Sequence, residues 1–90
     1  MILEFDEAKR QKTLARRGLD FARAGDVFDG AELTWRDDRF EYGEDRYNTF
    51  VMLDGRLVAL TWTIRPGKRR IISMRKANDR EQALYRRCLD

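Results

Sequence analysis

The chain of 90 residues contains no histidine, a single cysteine and a single proline. The lack of histidine excludes zinc sites built on imidazole, Ser-His-Asp triads and acid–base pairs of histidines. The lone Cys88 excludes an internal disulfide and a thiolate metal cluster. With only Pro66 and no low-complexity tract, the chain is expected to fold over nearly its whole length.

Long apolar runs are also lacking, and no stretch approaches the roughly 20 residues that a membrane-spanning helix needs. The residues that follow Met1 include acids where a signal peptide requires bases. A chain this short holds one hydrophobic core, which excludes Rossmann and barrel enzymes and predicts a single domain over residues 1–90. We therefore expect a cytoplasmic protein of one domain.

Charge is abundant but segregated along the chain. Charged residues make up 39% of it, against about 25% in a typical globular domain, and the net charge is +3. Basic residues concentrate in segments 9–23 and 65–87, and acidic residues in 26–45. Most of the bases are arginine, whose planar fork binds phosphate oxygens in pairs. Two basic blocks that meet in the fold would form a phosphate-binding surface, and the alternative is an ordinary solvated surface.

Capping residues mark the first two helices. Asp6 is expected to cap a helix that ends at Gly18, because glycine accepts the positive φ of a helix terminus. Asp20 is expected to cap a second helix that ends at Gly30. The apolar stripe of this second helix consists of Phe21, Ala24 and Phe28.

The remaining elements are strands followed by a last helix. Asn78 and Glu81 have the spacing of a capping box, and Cys88 is expected to pack inward beside Leu84 on the helix that they begin. The acidic segment Arg36–Asp45 is expected to be a loop. The expected strands are Ile2–Phe5, Ala31–Trp35, Arg46–Leu53, Arg56–Ile64 and Arg70–Met74. A short strand, two helices, an antiparallel meander and a C-terminal helix predict an α+β fold.

Asp54-Gly55 between two apolar runs predicts a two-residue β-hairpin, which fixes the register of its strands. The register places four pairs of side chains on one face of the sheet. These pairs are Met52 with Leu57, Phe50 with Ala59, Asn48 with Thr61, and Arg46 with Thr63. The face is apolar near the turn and polar at its other end, where a groove could form.

The turn at Pro66-Gly67-Lys68 extends this face onto the next strand. We favour the register that pairs Thr61 with Ser73, so that Ile71, Ser73 and Arg75 join the face, whereas a slip by one residue would bring Arg70 and Ile72 there instead. The favoured register gathers a concave polar patch of Arg46, Thr61, Thr63, Ser73 and Arg75. The alternative is a solvated sheet face whose threonines reflect strand propensity.

Five segments, in order and at matching spacing, resemble the BrnT toxins of bacterial type II toxin–antitoxin systems. They are Phe5-Asp6-Glu7-Ala8-Lys9, Leu14 with Arg16–Phe21, Val27-Phe28-Asp29, Gly43-Glu44-Asp45-Arg46-Tyr47, and Arg70–Ala77 followed by Glu81 and Tyr85. The resemblance implies a RelE-like ribonuclease fold and RNA cleavage that arrests translation. It implies a BrnA-type antitoxin as partner, which carries a ribbon-helix-helix DNA-binding part and links the pair to its operator DNA.

By matched position, the resemblance gives functional candidacy to Lys9, Glu44, Arg46, Ser73, Arg75, Glu81 and Tyr85. We expect Arg46 and Arg75 to hold the scissile phosphate and Glu44 or Lys9 to transfer protons. Tyr85 is expected either to orient a nucleotide or to lie in the core. The residues expected to bind RNA are Arg16, Arg17, Arg70, Ser73 and Thr63, with possible base stacking on Trp35, Tyr42, Tyr47 or Trp62.

The sequence departs from the family pattern at two positions. The family's asparagine is Thr13 here and its histidine is Arg17, so a catalytic base at the second position would be missing. No metal or cofactor is expected, since the acidic block lacks a calcium-binding loop. The leading hypothesis is a metal-independent endoribonuclease. The alternatives are a nucleic-acid-binding module without catalysis and a partner-docking protein that uses the same basic surface.

Overall fold

The computed structural model describes residues 2–28, 32–39 and 41–89. The elements follow each other in the order expected from the sequence. They are β1 (Ile2–Phe5), α1 (Glu7–Arg17), a 3₁₀ turn (Phe21–Arg23), α2 (Ala24–Val27), β2 (Glu32–Asp37), β3 (Arg46–Leu53), β4 (Arg56–Arg65), β5 (Lys68–Lys76) and α3 (Asp79–Leu89). This arrangement confirms the α+β class. No helix among the described residues is long and apolar enough to cross a membrane.

The helix boundaries follow the predicted capping residues. The side chain of Asp6 accepts a hydrogen bond from the backbone N–H of Lys9, and Gly18 ends α1 at a φ of +68°. At α3, the Asn78 side chain accepts from the Glu81 N–H at 2.8 Å, and the Glu81 carboxylate accepts from the Asn78 N–H at 2.9 Å. Both halves of the predicted capping box are therefore formed.

The second helix is shorter than its apolar stripe predicted. Asp20 does cap it, accepting from the N–H of Ala22, but the segment is a 3₁₀ turn followed by one α-helical turn that ends at Val27. Gly25 disfavours a longer helix by about 1 kcal/mol relative to alanine. The expected terminus at Gly30 lies outside the described residues. In the apolar stripe Phe21 and Ala24 are buried, whereas Phe28 is only partly buried against the same cluster.

The five strands form one sheet in the order β1-β5-β4-β3-β2. Neighbours from β5 to β2 are antiparallel, which confirms the meander, whereas β1 pairs in parallel with β5. The expectation of a wholly antiparallel sheet is therefore corrected at one edge. A parallel neighbour requires a long crossover, and here the whole chain between β1 and β5 supplies it.

The hairpin register is confirmed. Met52 pairs with Leu57 and Arg46 with Thr63, and the turn residues Asp54 and Gly55 both adopt positive φ, at +52° and +80°. Two such residues favour the type of turn whose twist matches the twist of the strands. The polar end of the shared face therefore lies where the sequence predicted it.

The next register is confirmed only as far as Ser73. Thr61 pairs with Ser73, but Trp62 pairs with Ile71, so Ile72 is an extra residue in β5. This β-bulge turns Ile71 to the opposite face, where it is buried, and the expectation that Ile71 joins the polar face is wrong. Arg70 pairs with Thr63, which is the position on the polar face that the alternative register predicted for Arg70. The bulge buries the apolar Ile71 and keeps Ser73 on the polar face.

Each face of the sheet buries its own cluster of side chains. One face packs on the segment after α1, and its cluster includes Leu19, Phe21, Ala24, Val27, Val58, Leu60, Trp62, Ile71 and Met74. The other face packs on α3 through Phe50, Leu57, Ala59, Ala77 and Tyr85. Cys88 and Leu84 are both exposed, which corrects the expectation that they pack inward on α3. The reason is that α3 turns Tyr85 toward the sheet and places Cys88 to one side.

Candidate functional site

Three of the catalytic candidates and one RNA-binding candidate, Arg70, meet in one surface cavity. The cavity has a volume of about 250 Å³ and lies between the first turn of α1, the loop before β3, and strands β3 to β5. We call it the Lys9 cavity. Its lining consists of Asp6, Lys9, Glu44, Arg46, Arg65, Arg70, Ile71 and Ile72. The fold therefore brings Lys9 of α1 together with Glu44 and Arg46, which lie much further along the chain.

Positive charge in the Lys9 cavity is only partly neutralised. Arg65 lies 3.4 Å from the carboxylate of Glu44, and Arg70 lies 3.2 Å from that of Glu4. The hydrogen bond from Arg70 lowers the pKa of Glu4, and nearby Lys68 acts in the same direction. Lys9 and Arg46 form no ion pair with any described residue. These two cations are therefore available to an anionic ligand.

Arg46 is held from one side by an aromatic ring. Its guanidinium carbon lies 4.2 Å from the centre of the Tyr42 ring, a cation–π contact that orients the side chain. Its Nε is buried and has no hydrogen-bond partner within residues 2–28, 32–39 and 41–89. An arginine oriented in this way is suited to binding a phosphate oxygen through its terminal nitrogens.

A buried carboxylate holds Tyr42 in place. Asp37 is only 2% exposed, and it accepts two hydrogen bonds from the Arg39 fork, at 3.0 and 2.9 Å, and one from the Tyr42 hydroxyl at 3.3 Å. The Arg39 guanidinium, with help from Asn48, holds the pKa of Asp37 well below its usual range against the opposing effect of burial. Asp37 thus stays ionised and anchors the segment that carries Tyr42 and Glu44.

The sequence analysis missed Asp37 because it assigned residues from Arg36 onward to a loop. In the structure β2 continues to Asp37, which pairs with Arg46 across the sheet. The signal was present, since Leu33, Trp35 and Asp37 continue the same alternation. An acid that continues an apolar alternation is a candidate for a buried, partnered carboxylate.

A second cavity, of about 440 Å³, lies along the same face of the sheet. We call it the Trp35 cavity. Its lining consists of Trp35, Arg36, Asp37, Asp38, Arg39, Asn48, Phe50, Ala59, Thr61, Ser73, Arg75 and Glu81. Ser73 and Arg75 therefore lie in a different cavity from Arg46, so the expectation of a single concave patch is corrected. The lengths of the strands put Arg75 about 13 Å from the level of Arg46 along the sheet.

Arg75 is engaged by a carboxylate of the chain itself. Its two terminal nitrogens lie 2.7 and 2.8 Å from the oxygens of Glu81, a bidentate pair. This hydrogen bonding raises the pKa of Arg75 and lowers that of Glu81. Because Glu81 also belongs to the capping box of α3, the pair ties β5 to the start of that helix.

The other candidates occupy separate places. Thr63 is buried and donates its hydroxyl to the Asp45 carbonyl at 2.6 Å, so it holds the loop and does not reach a ligand. Arg17 donates to the Met74 carbonyl at 2.9 Å, and Arg16 is exposed at the end of α1. Tyr85 lies in the core beneath α3, away from the Lys9 cavity.

Of the four aromatic residues considered for base stacking, only Trp35 is exposed and lines one of the two cavities. Trp62 is buried, and Tyr47 stacks on it with ring centres 4.8 Å apart. Tyr42 is covered by Arg46. Trp35 remains 39% exposed. Within the described residues, no group of three or more acidic or cysteine side chains is placed to hold a metal ion.

Comparison with known proteins gives one finding for this chain. A family model described as "Ribonuclease toxin, BrnT, of type II toxin-antitoxin system" matches residues 5–81. The matched range includes every residue that lines the two cavities, and it ends before Tyr85. Comparison with curated proteins gave no match to the chain.

Proposed function

Because the chain belongs to the BrnT family of ribonuclease toxins of type II toxin–antitoxin systems, we propose that it is a metal-independent endoribonuclease with its active site in the Lys9 cavity. The observation that carries this proposal is the meeting of Lys9, Glu44 and Arg46 in one cavity where positive charge is in excess. The family implies an RNA substrate and an antitoxin partner. We also propose that the fold is RelE-like, in keeping with the order of its strands and helices.

The cavity contains the groups that RNA cleavage by internal transfer requires. Glu44 accepts the proton of the 2′-hydroxyl, whose oxygen then forms a bond to phosphorus. Arg46 binds the non-bridging oxygens and stabilises the charge that develops on them. The bond from phosphorus to the 5′-oxygen breaks, and Lys9 donates a proton to that leaving oxygen. The products are a 2′,3′-cyclic phosphate and a free 5′-hydroxyl.

The neighbouring basic residues extend the site along the RNA backbone. Arg70 and Arg65 line the same cavity, each paired with a carboxylate, and they contribute to its positive potential. Arg16 at the end of α1 is exposed and free to contact a more distant phosphate. The Arg17 side chain is bound to the Met74 carbonyl, so we assign it a structural role beside any contact with RNA.

Translation arrest follows from this activity if messenger RNA is the substrate, and we place the protein in the cytoplasm with its target. We propose that a BrnA-type antitoxin neutralises it by covering the Lys9 cavity, because the cations that line this cavity attract an acidic partner. Through its DNA-binding part, this antitoxin would connect the complex to operator DNA.

Cleavage by the purified wild-type protein tests the proposed function. We expect antitoxin-free protein to cut single-stranded RNA in the presence of EDTA and to leave fragments that end in 2′,3′-cyclic phosphate. Protein that binds RNA and leaves it intact would instead support the alternative of a non-catalytic binding module. Cleavage that appears only after Mg²⁺ is added would contradict metal independence.

Arg75 is assigned to a different, more distant phosphate of the RNA, because it lies in the Trp35 cavity and not beside Arg46. We expect Arg75→Ala to weaken RNA binding by about fivefold to tenfold and to reduce cleavage in proportion. The protein should remain folded, because a half-exposed ion pair stabilises it by about 1 kcal/mol or less. Binding is measured by fluorescence anisotropy, with Arg80→Ala as a control from the exposed surface of α3.

Glu81→Gln provides the opposite arm of this test. Glutamine keeps the capping box, but it no longer neutralises Arg75, so RNA affinity should rise severalfold. If the Arg75–Glu81 pair serves only to hold α3 against the sheet, both variants lose stability and neither changes affinity in the expected direction.

A further inference from the structure

A row of four side chains crosses the sheet at the floor of the Trp35 cavity. Trp35 on β2 pairs with Asn48 on β3, Asn48 pairs with Thr61 on β4, and Thr61 pairs with Ser73 on β5. These side chains share one face, and all four line the cavity. Neighbouring strands lie about 4.8 Å apart, so the row spans roughly 14 Å. The sheet thus presents an aromatic ring at one end of a line of hydrogen-bonding groups.

The aromatic end is rigid and accessible. The ring of Trp35 packs edge-to-face on Phe50, with centres 4.6 Å apart and planes at 74°. Phe50 is buried in the cluster beneath α3, so the contact fixes the orientation of the indole. Even so, 39% of Trp35 remains exposed. A held aromatic side chain at a cavity wall is a stacking platform.

The polar end offers both donors and acceptors. Asn48 accepts from the Thr61 hydroxyl at 2.8 Å and lies beside Asp37, so its amide is oriented and has an N–H for a ligand. Thr61, having given its proton to Asn48, can only accept. The Ser73 hydroxyl makes no hydrogen bond to another described residue, and it can both donate and accept. A planar ligand with mixed donor and acceptor edges matches this set.

We propose that the Trp35 cavity is a nucleobase-binding subsite, which takes one unstacked base of single-stranded RNA next to the cleaved bond. The base stacks on Trp35, and its edge is bound by Asn48, Thr61 and Ser73. The volume of about 440 Å³ falls within the range of small-ligand pockets, whereas the Lys9 cavity is smaller than that range. This subsite rests on the proposed function, and it explains why a cavity without the proton-transfer residues lies beside the active site.

The placement of the two cavities fits one continuous strand of RNA. Arg46 and Asn48 are two residues apart on β3, which puts them on the same face and about 7 Å from each other. This distance is comparable to the length of one nucleotide. A phosphate bound at Arg46 can therefore be followed by a base at Asn48, and the strand continues toward Arg75.

The test uses a short single-stranded RNA in which 2′-O-methyl groups prevent cleavage, with binding measured by fluorescence anisotropy. Trp35→Ala should weaken binding roughly tenfold or more, because a stacked base loses its platform. Trp35→Phe should restore most of the affinity. Ile64→Ala removes an exposed apolar side chain from the opposite face of the sheet and should bind like the wild type.

Two further measurements separate base binding from a general loss of affinity. The dependence of binding on salt should be unchanged in Trp35→Ala, because stacking releases no counterions, whereas loss of an arginine contact lowers its slope by about 1. An RNA with one abasic nucleotide, moved along the strand, should at one position bind wild type and Trp35→Ala equally.

The result that would overturn the subsite is a folded Trp35→Ala protein with wild-type affinity, or equal weakening for abasic and complete RNA at every position. Failure of the subsite and failure of the proposed function are distinguishable. Wild-type protein that cleaves RNA without any effect of Trp35 refutes only the subsite. Protein that shows the Trp35 effect and never cleaves RNA refutes only the enzyme.

Discussion

Arg46→Ala is expected to slow RNA cleavage by about 10²–10³-fold, the loss typical of removing one preorganised donor from a transition state. The effect should appear mainly in kcat, because charge on the phosphate oxygens increases as the 2′-oxygen attacks. The Arg46 guanidinium lies over the Tyr42 ring at 4.2 Å, so its terminal N–H donors are oriented before the substrate arrives. Fixed donors are more effective than mobile ones because no reorganisation is needed during the reaction.

Two other substitutions show whether the fork of Arg46 or only its charge is needed. Arg46→Lys keeps the charge but loses the planar fork and part of the stacking on Tyr42, so it should recover only part of the rate. Arg56→Ala removes an exposed arginine at the far end of the same sheet and should cleave RNA at the wild-type rate. Single-turnover rates are measured together with thermal unfolding. Loss of one transition-state donor costs far more than about threefold in rate. If Arg46→Ala cleaves RNA within about threefold of the wild-type rate, the assigned role of Arg46 is excluded.

Short-range signals in the sequence correctly predicted both ends of α1, the start of α3 and the hairpin register. Asp6, Gly18 and Asn78 fix helix ends through bonds within three or four residues, and the Asp54-Gly55 turn fixes the register of β3 and β4. All of these were predicted correctly. Each depends only on neighbouring residues or on a two-residue turn, so the sequence contains the whole of the interaction.

The errors arose where distant segments compete for the same space. The bulge at Ile72 exists because Ile71 is needed in the core beside Trp62 while Ser73 pairs with Thr61. No local pattern contains that conflict. The parallel pairing of β1 with β5 depends in the same way on the closing of the chain over most of its length.

The candidate site, like the fold, was predicted only in part. The family resemblance selected Lys9, Glu44 and Arg46, and the structure places them in one cavity, whereas their roles remain predictions. The resemblance could not reveal that Arg75 forms an ion pair with Glu81 or that the Arg46 guanidinium lies over the Tyr42 ring. These contacts are made by side chains across strands, and they decide which cations are available for RNA.

Asp37→Asn is expected to destabilise the protein by about 2–3 kcal/mol at pH 7 and to lower kcat as well. Asp37 is buried while its partner Arg39 is 70% exposed, so the ion pair itself is screened by solvent and the hydrogen bonds carry most of the effect. For a domain of this size, the loss corresponds to a decrease in Tm of about 10 °C or more. The loss of kcat follows because Tyr42 loses its hydrogen bond to Asp37 and holds Arg46 less firmly.

The pH dependence of this destabilisation has a definite sign. The pKa of Asp37 is lowered on folding, so its contribution to stability is complete above its unfolded pKa of about 3.9. As the pH falls below that value, the unfolded state takes up a proton first, and the contribution declines toward the folded pKa. The difference in the free energy of unfolding between wild type and Asp37→Asn should therefore be constant from about pH 5 to 8 and shrink below about pH 4.

The adjacent exposed carboxylate supplies a matched control. Asp38→Asn removes the same charge from the next residue, so it should change the free energy of unfolding by less than about 0.5 kcal/mol. Tyr42→Phe keeps the ring beneath Arg46 and loses only the hydroxyl, so its losses of stability and rate should be intermediate. Chemical denaturation between pH 3 and 8 and single-turnover cleavage measure both effects. If Asp37→Asn unfolds like Asp38→Asn, Asp37 does not anchor the segment. If it is destabilised but retains the wild-type kcat, Arg46 keeps its place without the support of Asp37 and Tyr42.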